Sequence, residues 1–389
     1  MTEKIKLLFL VSEFWQAGGE RQAYEFNSAI NREKFEIDII CNIPLKFDPS
    51  KEDYYYEKHL ELGSSIYFLN DFKTNVPKKK RFQAQDVYEK KKQLAIQNNL
   101  DVFCKNYDYF LFFGEYLYGS THRFYPKWVL QKSLVFVHNS RFQVPTNYKR
   151  FNKSESVHFV SGFLEDEIKY ELAEFDGFNH TYVPLSINCE LDFPKRIKKE
   201  GNGKKRKIGL FTRLTIHKPL DIFYYALHLL RERGCDVELF VFGNGNPEDY
   251  EFNKCINYLG LSEHVIFKGH QKEMLKAAVD NELDVVWFHS YYGVPGGYAS
   301  FDICMSQIPQ VFWDFTPGKT NKYYPEFKSF NSLDGFVMHT QELLNNEDIL
   351  VEIGEKQMEA IKLHRNLNKE IKKVEKLIQE KVNDNQSYK

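Results

Sequence analysis

Residues 289–302 read HSYYGVPGGYASFD, in which Gly296 and Gly297 stand just before small and hydroxylated residues and Asp302 follows five positions later. If a helix starts at Tyr298 or Ala299, its first N–H groups and its dipole favour an anion such as phosphate. Ser300 could add a hydroxyl. Asp302 would lie one turn and a half in, where a carboxylate can accept both hydrogen bonds of a ribose diol. The alternative is a loop that simply needs flexible backbone. A second stretch, LFTRLTIHKPLD, places Arg213 and Lys218 five apart directly after an apolar run. A guanidinium fork and an ammonium point charge can meet one diphosphate; the alternative is a pair of solvated basic residues. A third, EFWQAGGERQ, carries Gly18 and Gly19, which would let backbone approach an anion or would form a tight strand-to-helix turn. It is not GxGxxG, and no acidic residue follows at the spacing that holds a dinucleotide ribose, so a dehydrogenase is disfavoured. A fourth, SLVFVHNSRF, ends an apolar run on His138, which either faces a ligand as acid, base or hydrogen-bond partner or is structural. The remaining histidines show no metal-ligand spacing.

The elements around these stretches are those that carry chemistry at strand ends. KIKLLFLVS is a continuous apolar run, the kind buried on both faces of a parallel sheet. GGERQAYEFNSAINRE has helical spacing and FEIDIICN is a second strand. SIYFLN, YDYFLFFG, SLVFVHN, SVHFVSG and HTYVPLSIN follow with helical stretches mostly between them. After them ELDFPKRIKKEGNGKKRK is charged and nearly free of apolar residues, and reads as a linker or exposed excursion. The pattern then restarts with RKIGLFT, DVELFVFGNG, HVIFKG, LDVVWFHS and PQVFWDF as strands. The fold expected is α/β: two Rossmann-like, doubly wound domains facing a cleft. The boundaries are 1–190 for the first domain, 191–206 for the linker and 207–365 for the second. Residues 366–389 form a terminal helix that either crosses back to the first domain or caps the second.

Bulk properties narrow the function. The 389 residues suffice for two domains, and 42 % apolar content can fill both cores. With 53 Lys and Arg against 54 Asp and Glu there is no overall positive field, which argues against nucleic acid as the main partner. Six scattered cysteines (41, 104, 189, 235, 255, 304) form no CxxC pair, as in a reduced cytoplasmic protein. The apolar run at the N-terminus is too short for a signal peptide, and no stretch approaches a membrane span. Residues 76–93, VPKKKRFQAQDVYEKKKQ, are basic with interleaved aromatics. They read either as a patch for anionic lipid, with peripheral contact at the inner membrane face, or as a solvated helix face.

Taken together, these motifs resemble the two-domain sugar-nucleotide glycosyltransferases of the GT-B fold, in particular family 4 (glycosyltransferase group 1). GGERQAYEF is similar to that family's first glycine loop, FVHN to its "t-H-d" strand end and YVPLSIN to "i-P-N-G-v-D", with Ser186 and Asn188 in place of glycine and aspartate. FTRLTIHKPLD matches "G-R-L-x-x-x-K-G-x-D" in register, LFVFGNG is similar to "l-x-i-v-G-x-G", and HVIFKGH to "v-x-F-x-G". The chain departs from the family at its paired glutamates: Asp302 aligns with the second, and Val294 stands where the first is expected. There GGYASFDICMSQIPQV resembles instead the "GG-T-T-T-x-D-A-L-x-x-G-x-P" helix start of protein glycosyltransferases related to family 41. The two families differ in stereochemical course, which stays open.

The resemblance implies a metal-independent glycosyltransferase that takes a nucleoside-diphosphate sugar, a UDP-sugar before a GDP-sugar, and no other cofactor. The acceptor would be a glycan, a lipid-linked glycan or a protein. Arg213 and Lys218 would bind the diphosphate and stabilise the leaving group, and His138 would touch the transferred sugar. Gly18 and Gly19 would approach the donor phosphates or that sugar. Gly243, Gly269 and His270 would flank the nucleotide. Gly296, Gly297, Tyr298, Ala299 and Ser300 would hold phosphate, and Asp302 ribose. A nucleotide-sugar epimerase and a donor-binding pseudoenzyme are the alternative functions on the same fold.

Overall fold

The computed structural model describes residues 3–45, 53–74, 76, 78–137, 157–162, 179–199, 205–215, 218–248, 250–290, 297–315 and 324–387. They form two units: residues 1–186 with Leu367–Lys389, and Ile187–Asn366.

The first unit is built on seven strands: β1 (Ile5–Val11), β2 (Phe35–Cys41), β3 (Ile66–Phe68), β4 (Tyr109–Phe113), β5 (Ser133–Val137), β6 (His158–Ser161) and β7 (Asn179–Tyr182). Its helices are α1 (Gly18–Ala29), α2 (Tyr56–Glu61), α3 (Gln85–Cys104), α4 (Glu115–Thr121) and α5 (Lys127–Gln131). The sheet order is β3-β2-β1-β4-β5-β6-β7, with every pairing parallel. The apolar run of β1 has the physical cause expected of it: Leu7, Leu8 and Phe9 are fully buried because the sheet is covered on both faces. One face packs Phe9, Phe26, Phe113 and Phe136, where the Phe113 and Phe136 rings stack at 4.7 Å. The other packs Leu8, Phe110 and Phe112 against Ile96, Leu100 and Cys104 of α3.

The second unit holds β8 (Arg206–Phe211), α6 (Asp221–Glu232), β9 (Val237–Phe242), α7 (Tyr250–Tyr258), β10 (Val265–Gly269) and α8 (Met274–Asp280). β11 (Val285–Ser290), α9 (Tyr298–Met305), β12 (Gln310–Asp314), β13 (Ser329–Phe330), α10 (Leu333–Asn345) and α11 (Glu347–His364) complete it. Its sheet runs β10-β9-β8-β11-β12-β13, again all parallel. The last helix, α12 (Leu367–Ser387), packs in the first unit. Its Leu367, Ile371, Val374, Ile378 and Val382 recur every three or four residues and join the core that contains Phe9 and Phe26. Glu375 Oε1 accepts from the Asn31 backbone N–H at 2.7 Å and ties the helix to the end of α1.

The charged segment before β8 differs from the expectation of an exposed linker. Arg196 and Lys199 are pinned beneath the second sheet by Asp284, which is fully buried at the start of β11. Asp284 accepts from Arg196 Nη2 at 3.2 Å, Lys199 Nζ at 2.8 Å, Arg206 Nη1 at 3.0 Å and the Lys207 backbone N–H at 2.8 Å. Glu347, at the start of α11, accepts from Arg196 Nη1 at 2.7 Å, Arg206 Nη1 at 2.9 Å and the Lys199 backbone N–H at 3.0 Å. The buried Asp284 and the half-buried Glu347 thus gather three cations, and removing Asp284 would leave the buried Arg196 without its innermost carboxylate. Burial alone would raise the Glu347 pKa, but the donors from Arg196, Arg206 and Lys199 overcome it and hold the carboxyl down at about 2. A carboxyl depressed in the folded state contributes stability above its unfolded pKa of 4.5 and loses it as pH falls towards 2. The thermal midpoint should therefore drop steeply through that window. Glu347→Gln should start lower at neutral pH and show a shallower acid limb in a pH series of melting curves. Parallel curves for the two proteins would show that Glu347 does not contribute in this way.

Candidate donor-binding site

Because all strands of the second sheet are parallel, their carboxyl ends emerge along one edge. The chain winds from β8 through β9 to β10 in one direction, then from β11 through β12 to β13 in the other. The switch point lies between β8 and β11, where connecting loops separate and leave room for a ligand. Arg213 and Lys218 follow β8, and Gly297 and α9 follow β11, so both stretches flank that point.

Arg213 and Lys218 both reach solvent, and among the described residues neither pairs with a carboxylate. Partial burial of the Lys218 ammonium, followed by the charge of Arg213, lowers its pKa from the ordinary lysine value. Two cations held this close repel each other and call for an anion.

The Arg213 loop is held by close backbone approach. Thr212 N–H donates to Phe242 O at 2.9 Å, Leu214 N–H to Asn244 O at 2.7 Å, and Gly243 N–H to Gly269 O at 2.9 Å. Gly243 has φ +153°, and a Cβ there would stand 1.6 Å from Thr212 O; at Gly245 a Cβ would stand 2.4 Å from Leu214 O. These glycines are required by the chain's own packing. Gly269, with φ +68°, and the exposed His270 lie at the neighbouring end of β10.

α9 begins at Tyr298 after Gly297, whose φ of +83° and ψ of −159° suit glycine. Among the described residues no side chain caps its first N–H groups. The Ser300 hydroxyl does not turn towards the strand ends as expected: Ser300 is fully buried and its Oγ donates to Gln310 Oε1 at 2.5 Å. The reason is the demand of a buried amide. Gln310 Nε2 donates to Ser300 O at 2.7 Å and Gln310 Oε1 needs a donor, which Ser300 provides. The Gln357 side chain brackets the Gln310 backbone, accepting from its N–H at 2.8 Å and donating to its C=O at 2.9 Å. This ladder fixes α9 against β12 and α11. Tyr298 is also buried, so what the helix start offers a ligand is backbone. Asp302 is half-buried in the second turn.

The sequence reading passed over His289, the penultimate residue of β11. Its Nε2 lies 3.3 Å from Pro219 O, and its ring meets Phe223 edge-on at 4.8 Å and stacks on Phe315 at 5.6 Å. Burial pulls its pKa down to about 4; the bond to Pro219 works against this and the Lys218 charge adds to it. A neutral imidazole therefore pins the residue next to Lys218 without adding charge. Its signal was the polar pair ending LDVVWFHS.

In the first unit the corresponding switch point lies between β1 and β4. Gly18 opens α1 there; a Cβ on it would meet nothing within 4 Å, so packing within the chain does not require glycine. Gly19 follows in the same turn. Burial drives the Cys41 thiol up, and the charges of Asp53, Glu13 and Glu20 add to that, so three carboxylates stand near the carboxyl ends of β1 and β2. Glu115, directly after β4, is 1 % exposed and was also passed over, although it follows the run YFLFFG. His138, Gly296 and Val294 lie outside the described residues.

Two Rossmann-like units of this topology define the GT-B class. Residues 192–319 match the family model described as glycosyl transferases group 1. The chain has the GT-B fold, and its glycosyl transferases group 1 region spans the Arg213–Lys218 loop and α9. Among solved structures it is similar to sucrose-phosphate synthase from Thermosynechococcus elongatus (TM-score 0.69, 13 % identity, 96 % of this chain and 98 % of that one). It is also similar to Anabaena HepE in complex with UDP and glucose (0.68, 12 %, 96 % and 99 %). A third likeness is to a variant of S. aureus TarM in complex with fondaparinux, alpha-GlcNAc-glycerol and UDP (0.67, 11 %, 96 % and 99 %). No curated protein matches the sequence.

Proposed function

We propose that this glycosyltransferase moves a sugar from a nucleoside-diphosphate sugar, a UDP-sugar before a GDP-sugar, to a glycan, lipid-linked glycan or protein acceptor without a metal ion. The observation that carries the reading is the pair of cations Arg213 and Lys218, which among the described residues have no carboxylate partner, beside the start of α9, which has no side-chain cap among them, at the switch point of the second sheet. Breaking the sugar–phosphate bond builds negative charge on the departing diphosphate. Arg213, Lys218 and the N–H groups of α9 meet that charge as it forms. The UDP in the HepE and TarM complexes supports a uridine donor.

The remaining roles follow from placement. The Gly243–Gly245 turn, Gly269 and His270 flank the nucleotide, Gly297 lets the diphosphate approach α9, and Asp302 holds the ribose hydroxyls. Gly18 and Gly19, at the start of α1, approach the donor phosphates or the transferred sugar. His138 is assigned to the same sugar. The acceptor is met by the first unit, with residues 76–93 turned to a membrane surface.

Titration calorimetry with UDP and GDP tests the donor assignment. Wild-type protein should bind UDP more tightly, and Asp302→Ala should weaken UDP roughly ten-fold or more, the worth of a hydrogen bond to a charged group. Unchanged affinity in that variant would remove Asp302 from the ribose. A wild-type protein that binds neither nucleotide would defeat the donor reading as a whole.

A further inference from the structure

We infer that His289 is a positioning residue for sugar transfer: through Pro219 it sets Lys218 against the terminal phosphate of the nucleotide, and so makes the site select a diphosphate over a monophosphate. This deepens the donor reading proposed above and rests on it.

Lys218 stands in a segment with little freedom left. Its N–H donates to Thr215 O at 2.9 Å. Pro219 follows it, and a proline ring locks its own φ at about −65° and restricts the backbone of the residue before it. Leu220, next in the chain, is buried, and its carbonyl accepts from the Phe223 and Tyr224 N–H groups at 3.0 and 3.4 Å in the first turn of α6. The loose torsion between these two anchors is ψ of Pro219, which turns the Lys218–Pro219 pair relative to α6. His289 closes that gap. A carbonyl only accepts, so the 3.3 Å contact with Pro219 O makes Nε2 the donor. The bond fixes the direction of the Pro219 carbonyl, and with it the torsion.

The imidazole is held in its turn. The buried Phe223 meets it edge-on, and Phe315, directly after β12, stacks on it. The Phe315 N–H donates to Ser290 O at 3.2 Å, so the ends of β11 and β12 carry the ring between them. His289 therefore ties the Lys218 segment to the strand ends across the switch point between β8 and β11. Histidine suits the place because its donor sits at fixed reach on a flat ring. A Lys or Arg could also donate to Pro219 O, but would add a third positive charge beside Arg213 and Lys218. Burial, opposed by the bond to Pro219 and reinforced by the Lys218 charge, keeps the imidazole neutral with a pKa of about 4. UMP carries only the phosphate next to the ribose, whereas UDP also carries the one from which the sugar departs. A Lys218 set against that second phosphate shows itself in the difference between the two nucleotides.

Calorimetry with UDP and with UMP tests the inference and needs no acceptor. Wild-type protein should bind UDP more tightly than UMP. His289→Phe keeps a ring between Phe223 and Phe315 but cannot donate. It should shrink the preference for UDP about five-fold, the worth of one neutral hydrogen bond, and leave UMP affinity at the wild-type value. His289→Gln, whose amide nitrogen reaches the place of Nε2, should restore the preference. His289→Asn, whose amide falls short of Pro219 O, should not, and gives the same contrast if the Phe variant does not fold. Lys218→Ala should shrink the preference further, and adding His289→Phe to it should cost nothing more, because His289 acts through Lys218. An unchanged preference without the donor, an equal weakening of UDP and UMP, a Gln variant no better than Asn, or losses that add in the double variant would each overturn the inference and leave the donor reading standing. Wild-type protein that binds neither nucleotide would strike the donor reading itself, and this inference with it.

Discussion

Lys218→Ala is expected to slow single-turnover sugar transfer about 10²–10³-fold, the loss typical of removing one preorganised group from a developing negative charge. Arg213→Ala should come close to it. The structure holds both side chains at the carboxyl edge of β8 without carboxylate partners among the described residues, and partial burial, with the Arg213 charge adding to it, lowers the Lys218 pKa. A diphosphate relieves the repulsion between the two cations, and does so most when its charge is greatest, at the moment the sugar departs. The loss should therefore fall on the rate more than on the affinity for intact donor. The double variant should be less damaged than the product of the two single losses, because both groups act on one leaving group. Near-normal single-turnover rates in both variants would end the leaving-group assignment. His289 sharpens the test. Its neutral ring holds Pro219 O from the end of β11, so the backbone beside Lys218 is positioned before any ligand arrives.

Gly243→Ala should be the most destructive single methyl group in the second unit, costing roughly 3 kcal/mol or more of stability. Its Cβ would stand 1.6 Å from Thr212 O, and φ of +153° is already strained for any residue with a side chain. Relief by movement is blocked, because three backbone hydrogen bonds stitch the ends of β8, β9 and β10 together. If the loop gives instead of the domain, Thr212 must shift and Arg213 with it. Protein that still folds should then lose UDP affinity. Urea denaturation measures the first effect and calorimetry the second. Gly18→Ala, whose Cβ meets nothing within 4 Å, is the control and should leave the urea midpoint nearly unchanged. A Gly243→Ala protein with wild-type midpoint and wild-type UDP affinity would show that the loop is not held as described.

Comparison of motif and structure is instructive at particular residues. Arg213 and Lys218 were legible because they follow an apolar run in register with a known pattern, and strand ends are local features. Gly243 was legible as a glycine but not in its role: the pattern suggested room for a nucleotide, whereas the immediate reason is the Thr212 carbonyl against it. Ser300 was misread because a hydroxyl at a helix start suits an anion as well as it suits a buried amide, and only Gln310 decides between them. ELDFPKRIKKE looked like a linker because it is charged and poor in apolar residues. Its anchor is charge, supplied by Asp284 and Glu347, which lie 88 and 151 positions from Arg196.

From the sequence by itself came two restarting strand–helix series and parallel sheets, and the glycosyltransferase class came with the resemblance of its motifs to a known family. These depend on periodicity, on polarity and on short spacings, which neighbouring residues impose on each other. Strand order and the switch points it creates, the inward turn of Ser300, the His289 clamp, the ion cluster under the second sheet and the return of α12 to the first unit were decided by tertiary structure alone. Each joins groups far apart in the chain, and their pairing depends on which surfaces must be buried together, a quantity that no local pattern contains.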